Sequence, residues 1–155
     1  MRNKRRIPII LDLFLNKETL LDFLVSSDQK IIDEIYNNWE MITKTWNEYP
    51  DLRFGQLLVN LRLIPSIKIE TYIWNIEEDD WLIKNNYINI EDIKFWGVNY
   101  YKNNKPRKTT KYKLLKDLDL DHIKNIIIFF EKNGNINRLN PKYLKYFNKR
   151  IKLNE

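Results

Sequence analysis

The sequence contains no cysteine, only three glycines and a single histidine. Without cysteine the chain can form no disulfide, no thiolate metal site, no iron–sulfur cluster and no cysteine nucleophile. Gly55, Gly97 and Gly134 lie too far apart to form a phosphate-cradling loop or a dinucleotide fingerprint. Any Ser/His/Asp relay would have to use His122, which stands among helix-capping aspartates. These absences exclude conventional kinases, NTPases and Rossmann enzymes and favour a protein that is not an enzyme.

Long apolar runs are also lacking. The basic start of the chain leads into an apolar stretch at 7–15, but Asp12 interrupts that stretch and no small-residue cleavage site follows. Beyond it the longest apolar run, 126–130, is five residues long, whereas a membrane-spanning helix needs about 20. We therefore expect a cytoplasmic protein with no membrane contact.

The composition supports independent folding. The chain has 155 residues, of which 43% are hydrophobic and 14% aromatic, so it can bury a core of ordinary size. We expect a single compact domain over 1–155, in which 1–84 would be a helical submodule and 85–155 a hairpin with two helices.

Apolar periodicity predicts helices through most of the first half. Residues 8–25 fit one or two short helices, the second capped by Asn16. Ser26 and Gln29 have the spacing of a capping box, and the helix after them should end near Tyr49, before Pro50. Its apolar face repeats at helical spacing: Ile32, Ile35, Trp39, Ile42 and Trp46.

The next segments predict a helix, a strand and another helix. Asp51 should cap a helix that reaches Pro65, and Gly55 within it indicates close packing against another backbone. Residues 67–74 alternate in polarity with a period of two, which predicts a strand. The acidic run 77–80 suits the first turn of a helix that extends to Lys84.

The second half predicts a hairpin and two helices. The runs 95–101 and 109–115 favour strands on either side of a tip at 102–108. Asp117 or Asp119 should cap a helix that stops at Gly134, and Asn140 with Pro141 should begin the last one. The predicted fold class is α+β, mainly helical, with a β-hairpin in the C-terminal half.

Charge is unevenly distributed along the chain. Residues 7–101 hold 8 basic and 16 acidic side chains, whereas 102–155 hold 15 basic and 5 acidic ones, a net charge of +10. A basic segment of this strength indicates that a polyanion, an acidic protein surface or the protein's own acidic half lies nearby.

The candidate binding residues lie in the predicted hairpin and the last helix. Cations beside aromatic rings provide counterion release from phosphates and stacking surfaces for bases, and a two-stranded ribbon can also enter a DNA groove. The competing interpretation places the rings in the core and the lysines in a turn that they keep soluble. The candidates are Tyr100, Tyr101, Lys102, Lys105, Arg107, Lys108 and Lys111 in the hairpin, and Lys145, Lys149 and Arg150 in the helix.

Carboxylates offer one enzymatic alternative. Asp51 after Pro50, with Asp92 and Lys94 downstream, formally satisfies the layout of metal-dependent nucleases. Asp51 is equally explained as a helix cap, and acid-x-Lys arises by chance in a chain this rich in both residue types. We predict no catalytic residue, no metal ligand and no cofactor.

Two runs carry motif-like patterns. The first, 46–60, reads W…PDLRxGQLxxN and precedes the acidic run 77–80; the second starts at Trp96 and ends in D-[ML]-x-x-x-H-[LI]-x-N-x-I at 117–127. Both resemble small phage and prophage accessory proteins. The resemblance implies a phage-encoded accessory protein in the bacterial cytoplasm. We expect a non-enzymatic protein that occupies a host macromolecule, such as a host protein, with inhibition of a host defence as its role; the alternative is a nucleic-acid or nucleotide binder that uses the basic hairpin and the last helix. The basic segment 102–108 replaces a short Asp-Gly turn in that pattern, which indicates a specialised hairpin tip.

Overall fold

The computed structural model describes residues 2–64 and 67–155. The chain forms two compact units, Met1–Asn89 and Ile90–Glu155. Helices dominate, and an antiparallel two-stranded hairpin lies in the second unit. The predicted α+β class, mainly helical with a hairpin in the C-terminal half, is therefore confirmed. Every helix in the described part of the chain is too short or too polar to cross a membrane.

The described part of the N-terminal unit consists of short helices joined by tight turns. In chain order they are α1 (Arg6–Phe14), α2 (Lys17–Leu24), α3 (Gln29–Asn37), α4 (Trp39–Glu48), α5 (Phe54–Asn60), α6 (Ile67–Ile73) and α7 (Glu78–Lys84). The Asn16 side chain accepts a hydrogen bond from the N–H of Glu18 at 3.0 Å, so its predicted capping role at α2 is confirmed.

The capping box predicted at Ser26 and Gln29 is wrong, because the cap of α3 lies two residues later. Asp28, rather than Ser26, caps α3, because its carboxylate accepts the N–H of Lys30 at 2.9 Å. The Ser26 hydroxyl instead accepts the N–H of Asp28 at 3.2 Å and holds the turn that precedes the helix. The aspartate is therefore the residue that satisfies an otherwise unpaired donor in the first turn.

The expected long helix after this cap is also divided in two. At Asn38 the backbone turns to φ −110° and ψ 18°, and the side-chain amide donates to the carbonyl of Glu34 at 2.7 Å. An asparagine that bonds the backbone in this way competes with helix continuation. The predicted apolar face nevertheless faces inward, since Ile35 and Trp46 are fully buried on either side of the break. The helix ends before Tyr49, as predicted.

The strand expected at 67–74 is wrong, because residues 67–73 of this segment form α6. The N–H of Trp74 bonds the carbonyl of Glu70 at 3.1 Å, which is helical spacing. Of the alternating set Ile67, Ile69, Thr71 and Ile73, only Ile73 is buried. A strand needs a partner for its backbone and an apolar face to cover, and α6 satisfies its backbone internally.

Gly55 confirms the expected close approach between backbones. A Cβ atom at this position would overlap the main chain of Ile73, whose carbonyl carbon would lie 2.8 Å away. Helix α5 thus packs against the end of α6 through a surface that only glycine provides. Around this contact the core is aromatic, with the ring centroid of Phe54 4.5 Å from that of Phe14 and 5.3 Å from that of Trp46.

The C-terminal unit combines the hairpin with two long helices and three short ones. The elements are α8 (Ile90–Ile93), β1 (Phe95–Tyr100), β2 (Pro106–Leu114), a 3-10 turn (Leu115–Asp117), α9 (Leu120–Lys132), a second 3-10 turn (Ile136–Arg138) and α10 (Pro141–Leu153). The predicted tip of the hairpin was too long, because β2 begins at Pro106. Proline has no backbone N–H to donate to the neighbouring strand, and the first residue of an edge strand is a position where this is tolerated.

The caps of this unit follow the sequence closely. Asp119 caps α9 by accepting the N–H of His122 at 2.8 Å, which decides between the two aspartates that the sequence offers. Gly134 ends the helix segment with a φ of +64°. Asn140 caps α10 by accepting the N–H of Lys142 at 2.9 Å, ahead of Pro141.

A separate apolar core holds these elements together. Trp96 of β1 packs edge-on against Phe147 of α10, with 5.7 Å between the ring centroids. The buried residues of this core are Leu115, Leu118, Ile123, Ile126, Leu139 and Phe147. Because the inner sides of α9 and α10 are committed to this core, their charged side chains lie on the outer sides.

Candidate functional site

The W…PDLRxGQ run and the acidic run 77–80 meet in the N-terminal unit. Arg6 is only 3% exposed and pairs with Glu78, which is fully buried, while its Nη1 lies 3.3 Å from Oδ1 of Asp79. Arg2 reaches the same Glu78 Oε1 at 2.6 Å. Arg53 pairs with Glu77 at 2.5 Å between Nε and Oε1. We call Arg2, Arg6, Arg53, Glu77, Glu78 and Asp79 the arginine–carboxylate cluster.

Other residues of the W…PDLRxGQ run support the arginine–carboxylate cluster, mainly through backbone carbonyl groups. The carbonyl of Pro50 accepts from Arg6 at 2.9 Å, and the carbonyl of Leu52 accepts from Nε1 of Trp46 at 3.0 Å. Gln56 accepts the N–H of Arg53 at 3.1 Å. The residues of the W…PDLRxGQ run therefore have structural roles in holding the arginine–carboxylate cluster and the start of α5.

Asp51 differs from its predicted role. Its carboxylate accepts the N–H of Arg2 at 2.7 Å, whereas Arg53 occupies the N-cap position of α5. The expected helix cap at Asp51 is therefore wrong. The aspartate anchors the start of the chain instead.

Burial has the largest effect on the pKa of Glu78 in this cluster. Desolvation raises the pKa of Glu78, and the neighbouring Asp79 raises it further, against the lowering effect of the Arg6 and Arg2 guanidinium groups. Within the described residues no group of three His, Asp or Glu side chains has an arrangement that could hold a metal ion. The cluster is built to hold helices together.

The hairpin places its predicted binding residues on the surface. Lys102 and Lys105 are exposed at the tip, and Lys108 and Lys111 are exposed along β2. Arg107 is more restrained, because its guanidinium lies 4.2 Å from the centroid of the Tyr101 ring. Its Nε also donates to the carbonyl of Tyr100 at 3.3 Å. Tyr100 and Tyr101 are themselves exposed, which is contrary to a role in the core. We call these seven residues the hairpin surface.

The last helix contributes a second basic region. Lys145, Lys149 and Arg150 line a groove of about 470 Å³ together with Lys142 of the same helix and Lys116 of the first 3-10 turn. We call these five cations and the space between them the basic groove. Its other lining residues include the carboxylate of Glu91 and the ring of Tyr146.

Arg150 has a structural role within the groove. Its Nη1 donates to the carbonyl of Leu118 at 2.7 Å and to that of Leu115 at 3.2 Å. Its guanidinium also lies 6.0 Å from the centroid of the Tyr146 ring. Because two of its donors are used within the fold, Arg150 is a fixed charge, while Lys142, Lys145 and Lys149 of the same helix are exposed and adaptable.

The predicted residues of the hairpin do not line the groove that the predicted residues of α10 line. In the C-terminal unit, which is described throughout, the lining of the basic groove includes none of the hairpin residues 95–114. Sequence reasoning missed Lys116 and Lys142 as members of the groove. Lys142 lies three residues before Lys145, so the helical spacing carried a signal for it. Lys116 comes from another element, and no local pattern could have indicated it.

The residues considered for catalysis are engaged elsewhere. Asp92 lies 3.2 Å from Nζ of Lys116 in the C-terminal unit, and Asp51 belongs to the N-terminal unit. His122 is partly buried on α9, and this burial lowers its pKa against the raising effect of Asp119. The nuclease hypothesis and a histidine relay therefore gain no support from these contacts.

Comparison of the chain with family models, with curated proteins and with solved structures finds no match. Function must be inferred from the charges and shapes of the hairpin surface and the basic groove. The C-terminal unit carries 16 basic and 7 acidic side chains, a net charge of +9. Its chemistry is suited to an anionic ligand.

Proposed function

We propose that this protein is a non-enzymatic binding protein that occupies a host macromolecule, and that the macromolecule is nucleic acid. The observation that carries the proposal is the basic groove, where four lysines and Arg150 surround a space lined by one carboxylate, Glu91. Of these cations Lys116 is paired with Asp92, which leaves the three lysines of α10. A site with this excess of positive charge attracts phosphates and releases their counterions on binding.

The lysines of α10 are the main contributors. Lys142, Lys145 and Lys149 follow one another at spacings of three and four residues, so they share one face and span about 10 Å of the helix. Among the described residues none of the three pairs with a carboxylate. Their charge is therefore available to a ligand.

The acidic residues 77–79 have cationic partners within their own unit. Glu77 and Glu78 are paired with arginines of their own unit, and Asp79 lies 3.3 Å from Arg6. These carboxylates are the densest acidic group in the sequence. An external anion is the simpler partner for the lysines of the groove.

The test is nucleic-acid binding by the full chain at low salt, followed by fluorescence anisotropy of a labelled oligonucleotide. Replacing Lys142, Lys145 and Lys149 with Gln should weaken binding by about tenfold or more in about 50 mM salt. The matched control replaces three exposed lysines that lie outside the groove, Lys124, Lys132 and Lys152, and should change affinity by less than about threefold. A wild-type protein that binds no oligonucleotide under these conditions would remove the proposal.

A protein partner is the second candidate, favoured by one specific observation. Ile128 and Phe129 are neighbours on α9 and are 51% and 63% exposed, which is unusual for large apolar side chains. Inhibition of a host defence, which the resemblance to phage proteins implies, would use such a contact. A pull-down from nuclease-treated bacterial lysate should recover one stoichiometric partner that Phe129→Ser no longer recovers. An empty pull-down would count against this candidate.

A further inference from the structure

We infer that the nucleic acid is single-stranded and that Tyr100 and Tyr101 of the hairpin surface stack on its bases. The inference rests on the proposed nucleic-acid binding and specifies its ligand. Tyr100 is 62% exposed and Tyr101 is 49% exposed, next to the cations of the tip. Exposed rings beside lysines match the combination that binds single strands with little sequence preference.

The Tyr101 ring is held in place before any ligand arrives. Arg107 lies over it at 4.2 Å and is itself fixed by a hydrogen bond to the carbonyl of Tyr100. A stacked guanidinium restrains the ring and adds a cation–π contribution. Because the side chain is already ordered, binding a base to it costs less conformational entropy.

Tyr112 belongs to the framework of the hairpin. A Cβ atom on Gly97 would lie 3.4 Å from Cε1 of Tyr112, so this ring lies across the glycine of the opposite strand. Tyr112 is still 46% exposed, but Tyr100 and Tyr101 lie closer to the tip and its cations, so they are the rings assigned to the ligand. The variants below therefore leave Tyr112 unchanged.

The shape of the hairpin favours a single strand over a duplex. Val98 pairs with Lys111 and Tyr100 pairs with Pro106, so Asn99 alone on β1 faces the four residues 107–110 of β2. Such an irregularity bends and twists a ribbon locally, and it departs from the regular two-stranded form that enters a major groove. Bases in a duplex are also stacked on one another, so the tyrosines would have nothing to stack on.

The first experiment compares three ligands of equal length with the wild-type full chain: a thymidine oligonucleotide, an abasic single strand and a duplex. The thymidine strand should bind about tenfold or more tightly than the abasic strand, which has the phosphates and lacks the bases. Equal affinity for all three would overturn the single-strand inference and leave nucleic-acid binding intact. Failure of all three to bind would remove both.

The second experiment uses variants that keep the charge constant. The double change Tyr100→Leu and Tyr101→Leu should weaken thymidine binding by about tenfold or more and leave abasic binding unchanged. The control, Tyr100→Phe with Tyr101→Phe, keeps the rings and should retain wild-type affinity for the thymidine strand. Loss of affinity for both ligands in the Leu variant, or for thymidine in the Phe variant, would contradict stacking by these tyrosines.

Discussion

Arg2, Arg6 and Arg53 of the N-terminal unit are bonded to carboxylates of that unit, whereas most lysines of the hairpin surface and the basic groove are exposed, and Lys116 among them pairs with the carboxylate of Asp92. Guanidinium groups suit the first task because several fixed donors reach several acceptors, and ammonium groups on flexible stems suit the second. The N-terminal unit carries a net charge of −3 and the C-terminal unit +9. A sequence charge becomes a binding surface only where the fold leaves it without a partner.

The largest effect on stability is expected from removing a carboxylate that neutralises the arginines of the N-terminal unit. Glu78→Gln keeps the size of the side chain but removes the charge that faces Arg6 and Arg2. Leaving a buried guanidinium without its main counter-charge should lower the free energy of unfolding by about 3 kcal/mol, measured by urea denaturation. The control is Glu48→Gln at an exposed position of α4, which should stay within about 0.5 kcal/mol. A loss below about 1 kcal/mol for Glu78→Gln would show that this pairing contributes little.

A smaller loss is expected at Gly55. Alanine would normally favour a helix interior, but here its methyl group would overlap the carbonyl of Ile73. We expect Gly55→Ala to lower the free energy of unfolding by about 2 kcal/mol. At Gly134 the surrounding space is open and only the positive φ opposes a side chain, so Gly134→Ala should cost about 1 kcal/mol. Equal or reversed costs in the same denaturation experiment would argue against the close contact between α5 and α6.

Helix ends and glycines were predictable in part: the roles of Asn16, Gly55 and Gly134 were predicted, whereas the caps expected at Ser26 and Asp51 were wrong. Asn16 and Gly134 act locally, so their roles follow from a few neighbouring residues, and the same local pattern narrowed the cap of α9 to Asp117 or Asp119. The segment 67–74 was misassigned because its period of two gives no information about whether a partner strand exists. The break at Asn38 was missed because the apolar period continues through it.

Residues of the hairpin surface and the basic groove could be predicted where they share one helix or one hairpin with other candidates. Lys145 and Lys149 follow from the spacing along α10, and Tyr101 and Arg107 follow from their place in the hairpin. Lys116 and Glu91 enter the basic groove through tertiary packing, which no spacing along the chain encodes.

The role of the exposed lysines can be tested further at Glu91, the carboxylate that lines the basic groove. Glu91→Gln should strengthen oligonucleotide binding by about threefold at low salt, because it removes a charge that repels phosphates. Glu131→Gln on the exposed side of α9 makes the same change in net charge outside the groove and should alter affinity less. Equal gains from both variants would mean that net charge alone governs binding.

The smallest effect concerns His122, whose pKa is lowered from 6.5 chiefly by burial. Protonation therefore favours the unfolded state, and the contribution of His122 to stability is lost as pH falls from about 6.5 through the pKa of the folded protein. Asp119 and Lys113 act on this group in opposite directions. His122→Gln should reduce the decrease in urea midpoint between pH 7 and pH 5. An unchanged decrease would assign the acid sensitivity to other groups.

The most direct test of binding through unneutralised lysines is the salt dependence of oligonucleotide affinity. For a single strand, each neutralised phosphate contributes about −0.7 to the slope of log affinity against log salt. Replacing Lys142, Lys145 and Lys149 with Gln should therefore make the slope shallower by about 2, while the triple variant at Lys124, Lys132 and Lys152 keeps the wild-type slope. A wild-type slope near zero, or equal slopes for the two triple variants, would contradict the account.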